Sequence, residues 1–285
     1  MLDNVLEYLE PQSGQKFIDC TLGGGTYTTK ISELVGAKSL VLSTDLDEAA
    51  IDNFKKKSAL KNVLVVNDSF RNLAEIAATV APQVKSFDGI VMDLGLSSNQ
   101  LADTDRGFSF SGKYPLDMAF GLKSPRPTAE IVNYYSAADL EYIFKEYGEE
   151  RFARRIAEKI VLQRKITPFT DTEQLVEIIT TSIPKKFWHK GVHPATKVFQ
   201  ALRIETNEEL RSLEEVLPQA VKLLKPGGRI VVVSFHSLED RIVKHFFRNN
   251  EDLKILTKKI VLPAAAEISK NPRARSAKMR VAEKI

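Results

Sequence analysis

Four short apolar runs, each closed by polar or acidic residues and the first three each followed by a helix-patterned stretch, constrain the fold of this chain more than any other feature. The runs are Lys16–Cys20, Ser39–Ser43, Asn62–Val66 and Phe87–Leu94, and the stretches between them, Thr26–Leu34, Ala49–Lys57 and Leu73–Thr79, carry helical spacing. A further amphipathic segment, Leu2–Leu9, stops at Pro11. Strands that alternate with helices predict an α/β fold around a parallel, doubly wound sheet.

The alternation is interrupted once. From about Leu101 to Pro194 the strand signal disappears. Residues 103–127 are rich in Gly, Pro, Ser and Asp and read as loop, whereas Ala137–Tyr147 and Glu149–Gln163 read as helices. Thr170 or Asp171 caps another helix running to Ile183, with Glu173 in its first turn. The sheet pattern resumes with a helix over Ala195–Leu224, broken near Pro218, then a Lys-Pro-Gly-Gly turn and a strand at Arg229–Ser234. A helix at Leu238–Arg248 and a closing strand at Met279–Ala282 complete the pattern. The expected organisation is a sheet domain of residues 1–102 and 195–285, split by an inserted all-helical domain of residues 103–194.

Composition matters in three places. The single cysteine, Cys20, excludes a disulfide framework and a cysteine zinc cluster, and fits a reducing cytoplasm. The longest apolar runs resemble Ile230–Val233 in length and fall far short of the ~20 residues of a membrane span, and no leader pattern is visible at the N-terminus. The net charge of +4 hides an asymmetry: residues 225–285 hold fourteen Lys and Arg against six Asp and Glu, a net of +8, and the other 224 residues carry a net of −4. A basic C-terminal quarter on an acidic body points to a polyanionic partner.

The loop after the first strand selects a ligand class. Asp19-Cys-Thr-Leu-Gly23-Gly-Gly25 has Gly23 and Gly25 of a dinucleotide fingerprint, but Thr28 stands where the third glycine belongs, and there is no P-loop Gly-Lys-Ser/Thr. Asp45 ends the next strand, 20 residues after Gly25, where a carboxylate can accept both hydroxyls of a ribose. A diphosphate demands several free N–H groups at a helix start, whereas a sulfonium amino acid demands fewer. The combination therefore favours S-adenosylmethionine over a nicotinamide dinucleotide. The bland alternative is a tight strand–helix turn with a capping Asp. Asp68 and Phe70 after the third run, and Asp93 after the fourth, face the same carboxyl edge, where ligands of open α/β sheets bind. The histidines His189, His193, His236 and His245 lack metal-ligand spacing, so no metal is expected. His236 stands just past a strand, as a helix cap or as part of a substrate face.

Long, uncommon strings then carry a resemblance. Asp93-Leu-Gly-Leu-Ser-Ser with Gln100, Arg106-Gly-Phe-Ser-Phe110, Pro115-Leu-Asp-Met118 and Tyr147-Gly-Glu-Glu-Arg151-Phe are similar to the RsmH (MraW) family. So are His193-Pro-Ala-Thr, Phe199-Gln-Ala-Leu-Arg-Ile204, Lys225-Pro-Gly-Gly-Arg229, Ser234-Phe-His-Ser-Leu-Glu-Asp-Arg241 and Asn271-Pro-Arg-Ala-Arg-Ser276. The resemblance implies a class I (Rossmann-like) S-adenosylmethionine methyltransferase that modifies the exocyclic N4 of a cytidine in the decoding region of 16S ribosomal RNA, within the small subunit. It implies a cytoplasmic monomer or homodimer with neither DNA nor membrane as partner. Carried over by position, Gly25, Thr26, Tyr27, Asp45, Phe70, Asp93 and Gln100 would contact the cofactor, and Asp93 would also serve the chemistry. On charge and position, His236, Arg241, Arg273, Arg275 and Arg280 are the RNA-binding candidates. The chain departs from the family where Gly25-Thr26-Tyr27-Thr28 stands for the usual Gly-Gly-His-Ser and where Asp117-Met118-Ala119-Phe120 stands for Asp-Met-Arg-Met, and the family's His-x-Pro-Val segment ahead of the first helix is not in this sequence. A non-catalytic RNA- or ribosome-binding protein on a degenerate methyltransferase fold is the alternative.

Overall fold

Successive residues of a strand point to opposite faces, and in this chain both sets are apolar. The computed structural model describes residues 1–285 apart from Ser98, Asn99, Ala102, Lys123 and Lys190. Its strands are β1 (Lys16–Asp19), β2 (Leu40–Asp45), β3 (Val63–Asn67), β4 (Phe87–Asp93), β5 (Leu224–Ser234), β6 (Leu253–Ile255) and β7 (Lys278–Lys284). They form one seven-stranded sheet in the order β3-β2-β1-β4-β5-β7-β6. β1 to β5 are mutually parallel, and β7 runs antiparallel to β5 and β6. This is the expected class I methyltransferase sheet.

One face presents Ile18, Leu42, Ile90, Met92, Ile230 and Val232 to the helices Leu73–Val80, Glu209–Leu223 and Ser237–Asn249. The other presents Phe17, Val41, Val91, Val231 and Val233 to α1 (Leu2–Leu9) and α2 (Thr26–Val35). Each such aliphatic side chain contributes about 1.5–3 kcal/mol on full burial, so the two faces supply most of the driving force.

The chain divides into two compact units, Met1–Gly95 with Leu210–Ile285, and Leu96–Glu209. The second is built on the helices Thr128–Tyr134, Ala137–Glu146, Ala153–Arg164, Thr172–Ser182 and Thr196–Asn207. Their inward residues Ile131, Leu140, Phe144, Ile156, Ile160, Leu175, Ile179 and Leu202 are fully buried together. Asp171 caps Thr172–Ser182: its side chain accepts from the Gln174 N–H at 3.1 Å, and the Gln174 side chain accepts in return. Ser136 and Asp139 form the same box ahead of Ala137–Glu146.

Several boundaries differ from the sequence reading. The compact helical unit starts at Leu96 and runs to Glu209, whereas the expected insertion ended at Pro194. The helix Thr196–Asn207 belongs to it because Val198, Phe199 and Leu202 pack into its core. The long C-terminal helix breaks at Glu208, which is left-handed at φ 47°, and not at Pro218. The break is held from both sides. Asn207 donates to the Met118 carbonyl at 2.8 Å, and Arg203 clasps Glu209 with two bonds of 2.7 and 2.9 Å. Pro218 is instead tolerated on the exposed side of the helix Glu209–Leu223. Lys225-Pro-Gly-Gly lies inside β5 as an irregular stretch opposite the shift between Phe87 and Gly89 of β4. The helix Thr128–Tyr134 and strand β6 were not anticipated, because seven and three residues respectively are too few to show a period.

Pro218 has no N–H for the Glu214 carbonyl, and its ring touches no core. Pro218→Ala should therefore stabilise the protein by about 1–2 kcal/mol, after the loss of proline's restriction of the unfolded chain is subtracted. The measurement is the urea midpoint, which should rise with an unchanged slope.

Candidate functional site

Because both faces of the sheet are covered, polar groups collect at its carboxyl edge. The strand pairing puts Asp19 at the end of β1 beside Ser43 of β2 and Val91 of β4, Asp45 beside Asn67 of β3, and Asp93 beside Val233 of β5. Three carboxylates thus end three adjacent strands.

The loop from Asp19 to α2 is shaped by its glycines. Leu22 buries its side chain against Ile51 and Phe54, and its N–H donates to the Thr44 carbonyl at 2.9 Å. Gly25 has φ 75°, and a Cβ there would lie 2.3 Å from the Phe54 ring, so no other residue fits without displacing that core. Gly25 is also the residue that caps α2 and offers no side chain to its first amide groups. Thr26 is exposed at the helix start, and Tyr27 is half-buried.

Asp45 is held by the loop it faces. Its Oδ2 accepts from the Gly23 N–H at 2.7 Å and its Oδ1 from the Asp47 N–H at 2.9 Å, which orients the carboxylate. Burial raises its pKa above the ordinary carboxylate range even against these bonds. Asp93 receives the Tyr27 hydroxyl as a donor, and its own N–H donates to Thr21 Oγ1 at 2.8 Å. Burial pushes the Asp93 carboxyl up to about 6, against the pull of the Met1 ammonium and the Tyr27 hydroxyl. Its Oδ1 is enclosed and makes no hydrogen bond. A buried acceptor without a donor costs free energy comparable to a lost hydrogen bond, and so marks a place where a ligand supplies one. The oriented Asp45 fits a ligand that carries hydroxyl donors, as the ribose of an adenosyl group does, and the open Asp93 Oδ1 fits a group that offers an N–H.

The sequence reading overlooked Asp19 as a site residue. It is fully buried, and Thr28 Oγ1 donates to its Oδ2 at 2.7 Å while the Thr21 N–H donates to Oδ1 at 3.1 Å. Thr28 also contacts Ser43 Oγ at 2.7 Å. Burial drives the Asp19 carboxyl up to about 7, more strongly than these bonds lower it, and the neighbouring Asp93 and Asp45 add to the rise. An acidic residue ending an apolar run just before a glycine loop is the signal that could have revealed it.

Other expected residues fall into place separately. Phe70 packs half-buried against the core beside Asp68, whose Oδ1 accepts from the Ser69 N–H at 2.7 Å. Gln100 is buried in the helical unit, where its Oε1 accepts from the Ser97 N–H at 2.9 Å. His236 caps the helix Ser237–Asn249: its Nδ1 accepts from the Glu239 N–H at 3.4 Å, and Glu239 accepts from the backbone of Phe235 and His236. Its Nε2 lies 3.1 Å from Glu239 Oε1 but off hydrogen-bonding direction. Arg241, Arg273 and Arg275 are exposed. Arg280 is a correction: its guanidinium is committed to Asp240 through two bonds of 2.7 and 3.0 Å, so it does not stand open for a phosphate.

The raised Asp19 has a consequence for stability. Its folded pKa of about 7 lies above the usual unfolded value, so the folded state binds more protons between those limits. Its share of the stability is therefore intact below about pH 4 and is lost as pH rises toward 7. Asp19→Asn should remove that loss. The difference in urea midpoint between wild type and variant should change across this window and stay flat above it.

The chain matches the MraW methylase family over residues 1–285. It is 43% identical over 305 residues to the Ribosomal RNA small subunit methyltransferase H of Carboxydothermus hydrogenoformans, covering 100% of this chain and 96% of that protein. It is 45% identical over 285 residues to the protein of the same name from a Synechocystis strain, covering 99% and 91%. A solved structure of a putative methyltransferase from Streptococcus mutans in complex with SAH aligns at a TM-score of 0.49 and 11% identity, covering 99% of this chain and 97% of that one. Match to the family over its whole length, with relatives above two-fifths identity, means that this chain belongs to the MraW methylase family.

Proposed function

We propose that this protein methylates the exocyclic N4 of a cytidine in the decoding region of 16S ribosomal RNA, with S-adenosylmethionine as the methyl donor. The relatives' names supply the substrate class, since they are small-subunit ribosomal RNA methyltransferases. The observation that carries the chemistry is the enclosed, unbonded Oδ1 of Asp93 at the end of β4, beside Tyr27 and one strand from the acid of β1.

Bound S-adenosylmethionine supplies an electrophilic methyl group on a sulfonium. The chain's residues do the rest. Asp45, oriented by Gly23 and Asp47, accepts the ribose hydroxyls, and Gly25, Thr26 and Tyr27 line the approach to α2. Phe70, half-buried just after β3, would cover the adenine. The N4 lone pair is delocalised into the cytosine ring, so alignment of the amine is the larger part of the task. Asp93 Oδ1 would accept one amine hydrogen, orienting the lone pair, and would take that proton as the methyl group passes to N4 and the broken C–S bond leaves its electron pair on the departing thioether. A carboxyl near 6 is ionised at pH 7.5 yet more basic than a surface acid, which suits a proton acceptor. The target base must leave its stack to reach this edge. The helical unit Leu96–Glu209 serves substrate recognition, and the basic quarter 225–285, with Arg241, Arg273 and Arg275, meets phosphates.

The decisive experiment incubates the protein with labelled S-adenosylmethionine and undermodified small subunits, then maps labelled nucleosides. N4-methylcytidine in the decoding region is expected, and its absence refutes the proposal. Cofactor binding without transfer would favour the non-catalytic reading. Asp93→Asn should lower kcat by about 10²–10⁴-fold and abolish the rise in rate as pH increases through about 6. Asp45→Asn should instead weaken S-adenosylhomocysteine binding roughly tenfold or more, as measured by calorimetry.

A further inference from the structure

The excess positive charge of residues 225–285 has a specific location. The second half of the helix Ser237–Asn249 and the segment after β6 enclose a pocket of about 370 Å³. Its floor is apolar, from Phe247 and Ile255, and its rim is cationic, from Lys244, Arg248 and Lys258. Lys244 and Arg248 are four residues apart on one helix and so present their charges on the same side. Arg248 and Lys258 are exposed, Lys244 is half-buried, and none of the three makes an ion pair among the described residues.

The rim is fixed to the sheet. Thr257, next to Lys258, is buried and its hydroxyl accepts from the Val281 N–H of β7 at 2.9 Å. Arg280 also lines the pocket, and its two bonds to Asp240 neutralise the acid one turn before Lys244 on the same helix, which would otherwise offset the rim. Over residues 244–259 there are five Lys and Arg against two acids. A cleft lined by one sign of charge over a low-dielectric floor concentrates its field outward. The pocket lies at the small end of ligand-site volumes, and its apolar floor suits a sugar edge between charged groups.

We propose that this groove, formed by Lys244, Arg248 and Lys258 over Phe247, holds the phosphodiester backbone of the substrate RNA away from the methyl-transfer edge. The inference rests on the RNA reading above and adds a contact surface to it. The expected anchoring is sequence-independent, since phosphates carry no base information, and it sets orientation of the RNA. A single occupant accounts for the open rim, the paired i, i+4 cations and the neutralised Asp240 together.

The test compares full-length wild type, a triple variant K244Q/R248Q/K258Q and a charge-preserving triple K244R/R248K/K258R. Binding to a fluorescent small-subunit RNA fragment is measured across a salt series, with S-adenosylhomocysteine affinity and thermal midpoint recorded in parallel. The neutral triple should bind RNA at least tenfold more weakly, and its log–log salt slope should be shallower by about 2, at roughly 0.7 per phosphate contact on single strands. The charge-preserving triple should keep the wild-type slope, and all three proteins should bind S-adenosylhomocysteine alike. If wild type binds RNA and the neutral triple keeps its slope, the groove assignment is wrong while the function stands. If wild type binds no RNA, both fall. If the neutral triple loses affinity with an unchanged slope or weakened S-adenosylhomocysteine binding, the effect is structural and the groove is again refuted. Adenosine monophosphate binding that the neutral triple abolishes, with RNA binding untouched, would assign the pocket to a free nucleotide and overturn the proposal. The pair R248Q/K258Q, both at exposed positions, is the fallback if the triple is unstable.

Discussion

A parallel sheet buried on both faces has no place for polar chemistry except its edges. In this protein the side chains of β1, β2, β4 and β5 alternate between two apolar layers, so each strand can carry a carboxylate only near its ends. The series Asp19, Asp45 and Asp93 follows from that constraint, and so does the glycine loop that links β1 to α2. The fold does not merely carry the site; the alternation of its strands determines where the site can be.

Placing three acids on neighbouring strand ends is electrostatically costly, and the structure offsets the cost unevenly. Asp45 receives two backbone N–H groups, Asp19 receives a threonine hydroxyl and one N–H, and Asp93 receives the Tyr27 hydroxyl but keeps one oxygen open. The gradient is chemically useful. An oriented carboxylate is suited to hold a ligand, a protonatable one relieves repulsion, and an open one retains an acceptor. Tyr27, in the first turn of α2, supplies the donor hydroxyl to Asp93.

The strands and most helices were legible because their periods are long enough to recognise. A cap at Thr170 or Asp171 was legible from their type ahead of a helical period, and the reciprocal bonds of Asp171 with Gln174 decide between them. Pro218 misled, since proline usually ends a helix, whereas the actual break at Glu208 is made by contacts from Asn207 and Arg203 to distant residues. The placement of Gly25 at the start of α2 and of Asp45 and Asp93 at strand ends was readable from spacing along the chain. Asp19 was not, because its importance lies in being fully enclosed beside Thr28 and Ser43, which are far apart in sequence. The basic quarter was visible as a count, but Arg280 looked as available as Arg273 until Asp240 was seen to engage it.

The sequence by itself determined the class of fold, the acids that end its strands, and the family, because strand period, loop glycines and long strings are local properties. Only the tertiary structure decided which acids are buried, which carboxylate oxygen is left without a donor, and which cations remain open. Those depend on desolvation and on partners brought together across the sheet, and both are set by packing between segments that the chain keeps apart.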